Sequence, residues 1–108
     1  MKRGEIVLVA IQGDYGKPRP AVVVQSDLFN AHHPSIAVCS ITSELRDTPL
    51  FRLTIEPAQG NGLTRLSQIM TDKPITVPRA RCKRRIGALD EAQMQRLDRA
   101  LLMFLGLA

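Results

Sequence analysis

Lys17-Pro18-Arg19-Pro20 stands directly before the apolar run Ala21-Val22-Val23-Val24. Proline fixes its own φ and pushes the residue before it into extended backbone. Arg19 follows one proline and precedes another, so its backbone is held extended at the entrance of a buried strand. A guanidinium on so stiff a base loses less entropy when its planar fork grips an anion, and phosphate is the obvious candidate. The bland alternative is an arginine simply solvated at a strand entry. Thr42 and Ser43 follow a second apolar run, Ile36 to Ile41, and offer hydroxyls where the chain leaves the core. Such hydroxyls usually satisfy the backbone of the turn they open, unless another functional group points at them.

Further along, Arg79, Arg81, Lys83 and Arg85 share a parity. On a strand over residues 80–86 they stand on one face while Ala80, Cys82 and Ile86 turn inward, and Arg84 departs from the alternation. Cations about 7 Å apart match the phosphate repeat of an extended single strand. The same row would equally protect an edge strand from aggregation. Stacking platforms are scarce: Tyr15 is the one tyrosine, tryptophan is absent, and Phe29 is the other aromatic expected in a loop. His32 and His33 are adjacent, point apart in extended chain and lack nearby ligand partners, so they read as loop residues. Cys39 falls in an apolar run as a small core residue, and neither it nor Cys82 has metal-site or redox-motif spacing. No metal or cofactor is expected.

The charge balance favours an anionic partner: 15 Lys and Arg stand against 10 Asp and Glu, a formal charge of +5. At 108 residues one domain is expected, with a single modest core. Met1-Lys2-Arg3-Gly4-Glu5 passes straight into a short apolar run, too short for a signal-peptide core or a membrane span. The expectation is a cytoplasmic protein with no membrane association.

The elements that must position these residues follow from hydrophobic pattern. Ile6 to Ile11, Ala21 to Val24 and Ile36 to Ile41 are short, β-branched runs, expected as strands covered on both faces. Gln12 to Gly16 is turn chemistry, and Asp27 to Pro34 is irregular with room for one helical turn. Phe51 to Ile55 alternates as a strand with one wet face. Asn61-Gly62 marks a turn, Leu63 to Thr71 a strand, and Lys73-Pro74 its break. Asp90 caps a helix to Leu105, with Gln93 completing a capping box and Gly106 at its exit. Met94, Leu97, Leu101, Phe104 and Leu105 form its apolar face. Many strands and then one helix imply a mainly β, α+β fold: a small, curved antiparallel sheet or partial barrel with a C-terminal helix.

Several of these segments occur together, in register, in one known family. Arg3-Gly4-Glu5-Ile6-Val7, then Lys17 to Asp27, Ile41-Thr42-Ser43, Gly62-Leu63, Ser67-Gln68-Ile69 and Ile86-Gly87-Ala88-Leu89 are its landmarks. Across essentially its whole length the chain resembles the MazF/PemK (Kid) toxins of bacterial toxin–antitoxin modules. The resemblance implies an SH3-like barrel, a homodimer, inhibition by an acidic antitoxin, and a metal-independent endoribonuclease acting on single-stranded RNA. It implies catalytic roles for Arg19 and Thr42; RNA contacts are expected from Lys17, Ser43, Arg65, Ser67 and Gln68 around them and from Arg81 and Lys83 on the cationic strand face. Some members carry an Arg-x-Asp pair where this chain has Arg65-Leu66-Ser67, so the arginine is kept and the carboxylate is not. Two other readings stand beside it: a gyrase-poisoning toxin of the CcdB kind, which shares the fold but not the Pro-Arg-Pro and strand-end threonine pattern, and a catalytically silent RNA- or antitoxin-binding module.

Overall fold

The computed structural model describes residues 1–11 and 17–108; the turn expected at residues 12–16 lies outside them. The described elements run β1 (Glu5–Val9), β2 (Arg19–Val23), α1 (Asp27–Asn30), β3 (Ser35–Thr42), β4 (Arg52–Ile55), β5 (Ser67–Pro78), a 3-10 turn (Arg79–Arg81), β6 (Cys82–Ala88) and α2 (Glu91–Phe104). The six strands form one sheet in the order β4-β5-β3-β2-β1-β6, each neighbouring pair antiparallel.

The β-branched runs are indeed covered on both faces, because adjacent residues enter different cores. Ile6, Val22, Cys39, Ile41, Leu53, Ile55 and Ile69 pack with Leu89, Leu97 and Leu101 on the helix side. Val7, Val9, Ala21, Val23, Ile36, Val38 and Val77 fill the opposite concavity. A strongly curved sheet can do this because its far face folds toward itself.

Curvature and near-closure have local causes. Cys39 pairs with Pro74 and Ile41 with Ile69, so residues 70–73 bulge opposite Ser40. This bulge bends β5, and it corrects the expectation that Lys73-Pro74 ends the strand: a proline is tolerated beside a bulge, where ladder hydrogen bonds are already interrupted. The strand also starts later than expected, at Ser67 instead of Leu63. Between β4 and β5 the chain crosses to β6, where the Ala88 N–H donates to the Gly60 carbonyl at 2.9 Å. Asn61 holds this loop, donating to the Glu56 carbonyl and accepting from the Ala58 and Leu63 N–H groups. Gly62, at φ +70, and Gly87 permit the approach: a Cβ on the first would lie 2.1 Å from the Ile86 carbonyl oxygen, and on the second 2.3 Å from the Asn61 carbonyl carbon.

α2 has the expected capping box between Asp90 and Gln93. It ends as expected at Gly106, φ +74, where the Gly106 and Leu107 N–H groups return to the Met103 and Leu102 carbonyls. Arg3 fastens it to the sheet through an Asp98 ion pair of 2.6 Å and the Val24 carbonyl at 2.9 Å. Leu97 and Leu101 are buried, but Phe104 and Leu105 are 50% and 55% exposed. The expected apolar face is therefore covered only along its first part.

Candidate active site

The two residues singled out first are brought together by strand register. Ala21 pairs with Ser40, Val22 with Cys39 and Val23 with Val38. Continuing that register two residues along each strand sets Arg19 opposite Thr42. Arg19 itself pairs with Val9 of β1, and Thr42 with Gln68 of β5. The prolines that stiffen Arg19 thus do so at a strand end beside the hydroxyl.

A cleft of about 520 Å³ opens there, lined by Arg19, Thr42, Ser43, Arg65 and Ser67 together with Ser40, Thr64 and apolar neighbours. Five of the sequence-derived site residues share this wall. Two are guanidinium groups, and no Asp, Glu or His is among the described lining residues. The cleft is therefore a cationic, hydroxyl-rich surface suited to a phosphodiester.

Thr42 fills the turn-satisfying role and also lines the cleft. Its Oγ1 accepts the Glu44 N–H at 3.0 Å, satisfying the turn. That contact fixes the oxygen and leaves the hydroxyl proton to be donated into the cleft. Ser67 is buried and donates its hydroxyl to the Arg65 carbonyl at 2.8 Å. It shapes the backbone that presents Arg65. Arg65 reaches the cleft because the Asn61–Gly62 loop sits against β6.

The remaining expected binding residues lie elsewhere. Lys17 is exposed, outside the cleft lining. Gln68 is 6% exposed and its amide is committed to Arg46, Arg52 and Thr54. The cation row is not continuous: Arg79 and Arg81 form the 3-10 turn, and β6 begins only at Cys82. Arg79 donates to the carbonyls of Asn30 and His33, Arg81 to the Ala10 carbonyl at 3.3 Å, and Arg85 pairs with Glu5 at 2.6 Å. The parity breaks because β6 is bulged against β1 at two points, leaving Lys83, Arg84 and Arg85 all exposed in succession.

Ser40 and Thr64 were not singled out from sequence. Ser40 had a signal, since it lies two residues from Thr42 on the same strand and so on the same face. Thr64 had none, as its place depends on the long-range loop packing. Among the described residues no three His, Cys, Asp or Glu side chains gather to hold a metal. Burial pushes the Cys39 thiol up to about 11 and the Cys82 thiol upward, so both are protonated thiols near neutral pH.

Residues 2–105 match the family described as PemK-like, MazF-like toxin of type II toxin–antitoxin system. The chain belongs to that family. This PemK/MazF-family chain is 47% identical over 109 residues to the probable endoribonuclease MazF of Mycolicibacterium smegmatis, covering 100% of this chain and 99% of the relative. It is 28% identical over 111 residues to endoribonuclease EndoA of Bacillus subtilis, covering 99% and 96%. Among solved structures, a mycobacterial endoribonuclease in complex with its cognate antitoxin superposes with a TM-score of 0.84 at 21% identity, covering 100% of this chain and 97% of that one. The resemblance read from the sequence motifs and the mainly β fold with a terminal helix are thus both borne out. No helix of this family member is long and apolar enough, among the described residues, to cross a membrane.

Proposed function

We propose that the chain, one domain over residues 1–108, is a cytoplasmic endoribonuclease toxin that cuts single-stranded RNA in the Arg19–Thr42 cleft. The observation that carries this reading is that Arg19 and Thr42 line one cleft, which also receives Arg65. RNA supplies its own nucleophile. The 2′-oxygen attacks the adjacent phosphorus, its proton passes to water in the open cleft, and the bond to the 5′-oxygen breaks. That oxygen takes a proton and leaves as a 5′-hydroxyl, and a 2′,3′-cyclic phosphate remains. Arg19 stabilises the negative charge that builds on the non-bridging oxygens, with Arg65 as a second cation. An arginine with a pKa above about 12 is suited to this task and ill suited to being a base. Thr42 donates its hydroxyl to a non-bridging oxygen, and Ser43 lies beside it.

The test is incubation of purified protein with a long single-stranded RNA in the presence of EDTA. Specific cuts carrying cyclic-phosphate or 3′-phosphate and 5′-hydroxyl ends are expected. A 2′-deoxy or 2′-O-methyl sugar at the scissile position should leave that site intact, and its hydrolysis would overturn internal attack. Uncut RNA would favour gyrase poisoning or a silent binding module.

The partners follow from the same surfaces. An acidic antitoxin segment is suited to the cleft that holds RNA phosphates, so antitoxin and RNA should compete. Leu102, Met103, Phe104, Leu105 and Leu107 are left exposed at the end of α2, apolar area that a second copy of the chain would cover. Sedimentation should give a homodimer at micromolar concentration, and a monomer there would count against this assembly.

A further inference from the structure

We infer that Gln68 is a positioning residue for the reaction, holding the segment after Thr42 so that the Thr42 hydroxyl is presented to the cleft. The inference rests on the reading of Thr42 as a group that touches the scissile phosphate. Gln68 lies in β5 directly between Thr42 of β3 and Thr54 of β4. Its Oε1 accepts the Arg46 N–H at 2.9 Å, and its Nε2 donates to the Arg46 carbonyl at 3.0 Å. The same Nε2 donates to Thr54 Oγ1 at 3.2 Å. One buried amide thus clasps both backbone groups of a loop residue, in the manner of a strand partner, in a segment that has left the sheet.

A second clamp acts one residue nearer the site. Arg52 donates to the Glu44 carbonyl at 3.1 Å and reaches Gln68 Oε1 at 3.4 Å. The Glu44 N–H is the donor that fixes Thr42 Oγ1. From Gln68 to Thr42 the path is therefore a short series of hydrogen bonds: Arg46 is held by Gln68, Glu44 by Arg52, and the Thr42 oxygen by Glu44. Two flanking strands supply the side chains that do the holding. Released from them, residues 43–46 would be an exposed connection with no regular ladder, and the orientation of the Thr42 hydroxyl would vary with it. Misplacing a reacting group by about 1 Å can cost on the order of 10²-fold in rate.

The experiment compares wild type, Gln68→Leu and Gln68→Glu on a short single-stranded RNA containing the cleaved sequence, each also in a Thr42→Ala background. Amide hydrogen exchange across residues 43–46 is measured in parallel. Gln68→Leu should lower kcat by about 10- to 100-fold with KM little changed, because the loop's placement matters most to the transition state. Gln68→Glu is nearly isosteric and keeps the acceptor for the Arg46 N–H, so it should fold and retain intermediate activity. In the Thr42→Ala background the loss should largely vanish, since Gln68 acts through that hydroxyl. Exchange at Glu44 and Arg46 should quicken without global unfolding.

Wild-type kcat in Gln68→Leu, a full additional loss in the Thr42→Ala background, or unchanged exchange at Glu44 and Arg46 would each overturn the inference. Full-rate cleavage by Thr42→Ala would instead defeat the underlying site reading, and the inference with it. The exchange data tell the two failures apart, because the brace itself can be intact when Thr42 has no role in the reaction.

Discussion

Arg19 and Thr42 come from strands separated in sequence by α1, and each is ordinary in isolation: an arginine at a strand entry, a threonine opening a turn. Their shared place in one cleft changes their meaning, because under the proposed function an anion held by the guanidinium would lie within reach of the hydroxyl. Arg19→Ala should therefore cut the cleavage rate by about 10²–10³-fold, the usual cost of losing one group that stabilises transition-state charge. The fold should survive, since Arg19 is exposed at a strand end, and circular dichroism would establish that. A folded variant cleaving at near wild-type rate would take Arg19 out of the mechanism. Thr42→Ala should be comparably slow, whereas Thr42→Ser, which keeps the oxygen that accepts the Glu44 N–H and its proton, should retain part of the activity. Equal rates for the Ala and Ser variants would show that the hydroxyl is not the operative group.

At the scale of elements, β3 shows how one strand serves core and site together: Cys39 and Ile41 enter the helix-side core, while Ser40 and Thr42 line the cleft. Cys39 is fully buried and its thiol is pushed up to about 11 from an ordinary 9.0 by desolvation. The folded state then keeps a proton that the unfolded state releases, so stability is complete below about pH 9 and declines as pH rises from 9 towards 11. The expected loss is on the order of 2 kcal/mol at the alkaline end. Denaturant melts of wild type and Cys39→Val between pH 8 and 11 would check it, since the valine variant should lack this part of the slope. Parallel slopes would mean that the thiolate is not excluded from the fold. The short apolar runs made β1, β2 and β3 legible in the sequence, as the capping box and Gly106 made α2, because each signal is local. What was not legible depends on contacts between distant segments. Lys73-Pro74 reads as a break until the bulge against Cys39 and Ile41 is known, and Arg79 and Arg81 read as strand residues until β6 is seen to start at Cys82. Gln68 stands out in the sequence as a site residue, but only the fold reveals that its amide faces Arg46.

Across the whole molecule all six strands bring a residue to the level of the cleft. Cys82 pairs with Val9 and Val9 with Arg19, while Thr42 pairs with Gln68 and Gln68 with Thr54, and Arg19 and Thr42 line the one cleft. The cationic edge of β6 therefore lies two strands from Arg19, roughly 10 Å at the usual strand spacing, and Arg81 is tied to the same end through the Ala10 carbonyl. Under the proposed function, an RNA strand entering the cleft would find a basic surface on that side for its flanking phosphates. Each phosphate neutralised on a single strand contributes about 0.7 to the slope of log K against log salt. If Arg81 and Lys83 each meet one phosphate, replacing both with alanine should weaken binding at low salt and reduce that slope by about 1.4. The measurement is a salt titration of RNA affinity in an Arg19→Ala background, where cleavage does not deplete the ligand. The competing account is that these charges keep the exposed β6 edge from pairing with another chain. It expects an unchanged slope together with greater self-association of the double variant, and that pair of results would remove the β6 edge from the RNA path.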